Sequence, residues 1–199
     1  MNKNGLLANT HGASLIEVML AISVLAIAIS GVLLTMITSA KTINDNRDYV
    51  TAAMEAKLKL AEIQGSGNLY QILAKYRPGA TPDLSTFALP QRDGNGAPIA
   101  GQFKLVTYSG GVQVTNIGTI TFPGITSLTS PLLETTSYPS LGMPMDLDGN
   151  GTIDAGVDKS VLPVAPAPQL QVLPVLIRIT WSSSEVEPPQ YYELPAILN

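Results

Sequence analysis

The chain has 199 residues, a net charge of −4 and only 13% charged residues, so it lacks the basic surface that nucleic-acid binding requires. Cysteine is absent, which excludes disulfide frameworks and thiol chemistry. The single histidine is His11, so loss of an N-terminal leader would also remove His-dependent triads and the usual zinc sites.

The first element is an apolar run. From Val18 to Ala40 there is no charged residue, amide, histidine or proline. As a helix this run reaches ~35 Å, enough to cross a bilayer core of ~30 Å. One carboxylate, Glu17, stands at its start. A charge at the edge of an apolar helix is costly and calls for a partner. Cleavage after Gly12 would make one, a positive amine on Ala13 four residues before Glu17. The flanking charges, Lys3 on one side and Lys41 and Arg47 on the other, leave orientation open.

A Gly followed by an apolar stretch whose fifth residue is Glu resembles the prepilin signal of type IV pilins and type II secretion pseudopilins. A secretory signal is cut after its apolar region, whereas here the candidate site precedes it, so the helix stays in the product. The resemblance implies a 1–12 leader, removed after Gly12 by a prepilin peptidase that methylates the amine of Ala13. It also implies that Glu17 meets the amine of a neighbouring subunit during assembly. Ala13 departs from the family, which usually has Phe there. On this reading the chain sits in the bacterial inner membrane with its body outside, then joins other pilins or pseudopilins in a helical filament.

The helix is expected to run on to Gln64, since Ala13–Gln64 contains no proline and one glycine, Gly31. Residues 13–40 form its membrane and assembly half, and 41–64 its amphipathic half. Ile43, Val50, Met54, Leu58 and Ala61 fall on one stripe, predicted to face the body. Lys41, Asp45, Asp48, Glu55, Lys59 and Glu62 mark the expected exposed face. Gly65-Ser66-Gly67 ends the helix. The segment Ala52–Ile63, alanine-rich and closing on Leu60-Ala61-Glu62-Ile63, resembles PilV-type minor pilins and I-type pseudopilins.

Residues 65–102 read as a variable loop region, rich in proline and glycine, with a short helix over 68–76. The sheet is expected over 103–199. Phe103–Tyr108 and Val112–Ile117 form a hairpin around Gly110-Gly111, and Thr119–Phe122 forms another short strand. Residues 123–145 return to loop, and Pro163, Pro166, Pro168 and Pro174 mark an extended linker. In the strand 175–181, Val175, Ile177, Ile179 and Trp181 share the inward face, with Leu176, Arg178 and Thr180 on the other. A turn over 182–190 leads to a strand at Tyr191–Leu194, where Pro195 implies an edge position or an early end. An Arg-Ile-Thr-Trp strand followed by Tyr-Glu-Leu also resembles the PilV-type and I-type pattern.

Between the strands lies an acidic loop, 146–158. Calcium loops place oxygen ligands at positions 1, 3, 5, 7 and 9, with glycine at 6. Here these are Asp146, Asp148, Asn150, the Thr152 carbonyl and Asp154, with Gly151 at the turn. Val157 replaces the usual glutamate at position 12, and Asp158 could close the site instead. The pattern resembles EF-hand-like and dockerin-like loops and predicts calcium. Polar turns rich in Asp, Asn and Gly share this composition without an ion.

Together these readings give an α+β, pilin-like chain with a long N-terminal helix and a 41–199 head on a small antiparallel sheet. The expected function is that of a minor pilin-like structural subunit and not an enzyme. The alternatives are an I-type pseudopilin of type II secretion and a membrane-anchored, calcium-binding, adhesin-like domain.

Overall fold

The computed structural model describes residues 14–78, 89–92, 98–109, 112–161, 169–181 and 188–199. Gly12, Ala13, the Gly110-Gly111 turn, Pro163, Pro166, Pro168 and most of the 182–190 turn lie outside them. The chain divides into two compact units, Met1–Asn44 and Asp45–Asn199.

Helix α1 spans Leu15–Gln64, as the uninterrupted sequence predicts. Within the first unit its apolar side chains are exposed, Leu15 at 80% and Ile27 at 74% among them. Its hydroxyls bond backward along the helix, Ser23 to the Met19 carbonyl at 2.8 Å, Ser30 to Ala26 at 2.8 Å and Thr35 to Gly31 at 2.9 Å. These polar groups are thus satisfied inside the helix, and its surface suits an apolar solvent. The helix is long and apolar enough to cross a membrane.

In the second unit α1 turns an unexpected face to the body. Ala52, Ala56, Lys59 and Ile63 are buried, while Ile43 of the first unit and Val50, Met54 and Leu58 of the second stay exposed, as does Ala61. The predicted packing stripe is therefore on the outside. Lys59 is held in this face by Glu62 at 2.9 Å and lies over the rings of Tyr76 and Phe103 at 5.4 and 5.0 Å. A buried lysine is tolerated where its charge is paired in this way.

Helix α2, Leu69–Tyr76, follows as predicted. Asn68 caps it by accepting the Gln71 N–H, and Ile72, Leu73 and Tyr76 bury at helical spacing. The 65–102 region then departs from a loop. It contains strand β1, Leu89–Arg92, and the start of β2, Pro98–Ser109.

Among the described residues, strands β3 (Val112–Thr121), β4 (Leu173–Trp181) and β5 (Gln190–Leu198) complete a five-stranded antiparallel sheet in the order β1-β2-β3-β4-β5. The architecture is α+β. The predicted hairpin is the β2–β3 pair, closing at Ser109 opposite Val112. Thr119–Thr121 do not start a separate strand. They continue β3, because Thr119, Ile120 and Thr121 pair with Arg178, Ile177 and Leu176 of β4. Val175, Ile177, Ile179 and Trp181 are buried as expected, and Leu176 is buried as well. β5 is an edge strand that runs past Pro195, which pairs with Leu176. An edge position tolerates the missing proline N–H.

After β3, residues 122–161 carry a 3-10 helix at Pro139–Leu141. Phe122, Ile125, Leu132, Leu141, Met143 and Leu147 are buried here and join the main core. This apolar anchoring fixes the acidic loop against the body.

Candidate functional site

The first turn of the acidic loop is built on two glycines. Gly149 and Gly151 have φ of +70° and +87°, conformations that cost a side-chain-bearing residue free energy. They turn the chain around Asp146, whose carboxylate accepts the N–H groups of Gly149 at 2.8 Å and Gly151 at 2.7 Å. The Gly151 bond is the main reason that the Asp146 carboxyl lies below the usual aspartate range. Asn150, Thr152 and Asp154 bond one another. The Asn150 amide donates to Asp154 at 3.0 Å, and the Thr152 N–H and hydroxyl donate to the Asn150 carbonyl at 2.7 and 2.6 Å.

The structure adds two residues that the loop's spacing does not reveal. Glu134, fully buried, accepts the Leu147 N–H at 2.8 Å and the Asp154 N–H at 2.6 Å, one with each oxygen. It thereby ties the start of the loop and its Asp154 turn to the body. Glu134, Asp146 and Asp148 each bring a carboxylate oxygen within 4.8 Å of the others. The second is Lys159, buried, whose ammonium lies 2.5 Å from Asp148, 2.8 Å from Asp154 and 3.6 Å from Glu134. Burial pushes the Lys159 amine down. Its bonds to Asp148 and Asp154 and the charge of Glu134 more than reverse this, holding it above the usual lysine range. The same contact, with the Lys159 bond foremost, holds Asp154 below its usual range.

Asp158 does not turn toward this cluster. Its carboxylate accepts the Leu132 N–H at 2.9 Å and the Ser160 N–H at 2.9 Å. Burial raises its carboxyl, but bonds from the Ser160 hydroxyl, the Ser160 N–H and the Leu132 N–H outweigh it, for a net depression. Calcium takes six to eight oxygen ligands. The residues here meet that demand in part. Glu134, Asp146 and Asp148 would hold an ion, but the Lys159 ammonium already engages Asp148 and Asp154. Nothing in the geometry singles out calcium.

The second predicted site is the start of α1. Glu17 lies in its first turn, exposed, where the positive end of the helix dipole favours a carboxylate. The Ser14 carbonyl accepts the N–H groups of Glu17 at 2.9 Å and Val18 at 3.2 Å and opens the helix. Glu17 thus heads an apolar surface with no further charge before Lys41. No family model, no curated protein and no solved structure matches the chain.

Proposed function

We propose that the chain is a minor pilin-like structural subunit of a type IV pilus, processed by prepilin peptidase and incorporated into the filament or priming its assembly. The observation that carries this reading is the join at residues 12–17. Gly12 and Glu17 bracket the start of an uninterrupted helix whose apolar side chains are all exposed in the first unit. Such a surface needs lipid or other helices around it. In the second unit the face of α1 away from the core carries Val50, Met54 and Leu58, again exposed. A neighbouring subunit's helix would cover them. In this reading Glu17 pairs with a neighbour's Ala13 amine, an attraction that strengthens where water is excluded.

The test is processing and incorporation. Mass spectrometry of membranes and sheared filaments should find a mature chain beginning at Ala13 with a methylated amine. An intact Met1 terminus in cells with an active prepilin peptidase would overturn the reading. Recovery of the processed chain with a secretion apparatus and not with pili would move it to the I-type pseudopilins.

A further inference from the structure

The geometry points to Lys159 as the resident cation of the 146–158 loop, a tethered ammonium standing where comparable loops hold a divalent ion. Four carboxylates, those of Glu134, Asp146, Asp148 and Asp154, crowd this corner of the head. Glu134 is fully buried and Asp148 is 2% exposed. Anions so placed need a nearby cation. Lys159 supplies it, at 8% exposure, with oxygens of three of the four within 3.6 Å.

The backbone aims this lysine. The Lys159 N–H donates to the Leu132 carbonyl at 2.9 Å, and the Asp158 carboxylate accepts the Leu132 N–H at 2.9 Å. Two adjacent residues thus clamp both polar groups of a fully buried leucine. This gives Asp158 a use other than ligation. The acid at the end of the loop is a positioning residue that directs the next side chain into the carboxylates. Glu134 is fixed independently, through Leu147 and Asp154. Lysine and carboxylates therefore meet on a frame that needs no ion to assemble.

The test uses the full-length chain in detergent, melted in a chelator and in millimolar calcium chloride, with calorimetric titration of calcium. The wild type should melt at the same temperature in both and show no binding heat. Lys159→Met should melt about 10 °C lower in chelator, the scale of breaking a buried ion pair in a chain of this size. Millimolar calcium should recover much of that loss, with binding heat now present. Lys159→Arg, which keeps the charge, should remain calcium-independent and still fold should the methionine variant fail. A wild type whose melting temperature falls in chelator and rises with calcium would overturn the assignment, since a metal would then be the resident cation. So would a Lys159→Met chain as stable as wild type, or one that calcium does not restore.

Discussion

The ring of Phe103 covers the backbone of Gly118, its partner across the β2–β3 ladder, so closely that a β-carbon on Gly118 would fall 2.1 Å from the ring. Phe103 is 3% exposed and carries Lys59 of α1 over its face at 5.0 Å. This stack joins sheet and helix. Gly118→Ala should displace the ring and lower stability by about 1–3 kcal/mol, the usual range for overpacking. Urea denaturation of the full-length chain in detergent measures it. An unchanged midpoint would show that the ring has room to move.

The two faces of α1 in the second unit would separate stability from the proposed assembly. Ala56 is fully buried and Leu58 is 65% exposed. Ala56→Leu should cost about 1–3 kcal/mol, while Leu58→Ala should stay within about 0.5 kcal/mol. In cells Leu58→Ala should reduce recovery in sheared filaments at normal membrane levels. If Leu58→Ala lowered the melting temperature as much as Ala56→Leu, the packed face would have to be reassigned.

That assignment of faces was hidden in the sequence. Continuous patterns were readable. The absence of breakers from Ala13 to Gln64 marked α1, and the alternation Val175, Ile177, Ile179, Trp181 marked the buried side of β4. The packed face of α1 was not, because the helix has two apolar stripes. Val50, Met54 and Leu58 outweigh Ala52, Ala56 and Ile63 in bulk, and Lys59 makes the true face look solvated. Glu62, one turn along α1, and the rings of Tyr76 and Phe103, which come from other elements, make a buried Lys59 acceptable. Glu134 was hidden for a related reason. It enters the acidic loop through space, from a Leu-Leu-Glu-Thr-Thr segment with no ligand spacing. β1 was obscured by Pro90, which an edge strand accommodates.

Glu17→Ala tests the assembly role without touching the head. The side chain is exposed in the first turn of α1, so its removal leaves the core unchanged. On the proposed reading leader removal should be nearly normal, because the residue cut is Gly12 and not Glu17. If the proposed pairing operates, filament content should fall, since the apolar helix would no longer answer a neighbour's amine. Normal amounts of the variant in sheared filaments would count against that pairing.

Glu134→Gln probes the anchor of the acidic loop. The glutamate accepts two backbone N–H groups, one on each oxygen. A glutamine offers one acceptor and turns an N–H₂ toward the other donor. One buried N–H loses its partner and the ammonium of Lys159 loses a counter-charge, for a cost of about 2–3 kcal/mol. Thermal or urea melting should register it. A cost below about 0.5 kcal/mol would mean that the loop is held chiefly by its buried Leu147.

The same loop sets the response to acid. Asp146, Asp154 and Asp158 all have carboxyls depressed in the folded chain. The Gly151 N–H leads for Asp146 and the Lys159 ammonium leads for Asp154. For Asp158 burial is outweighed by bonds from Ser160 and Leu132. A carboxyl depressed by folding binds fewer protons folded than unfolded, so stability rises with pH in that window. Its contribution is complete above the unfolded value of ~3.9 and is lost as pH falls through the lower folded value. Lys159 is raised, so its contribution is complete below ~10.4 and is lost as pH rises through the folded value. Stability should therefore be level between about pH 5 and 9 with respect to these groups and decline below about pH 4. Melting temperatures across pH 2–9 at fixed salt should show this shape, and Asp158→Asn should flatten the acid limb by removing one depressed carboxyl. A melting temperature that climbs as pH drops from 5 to 3 would contradict the sign for all three aspartates.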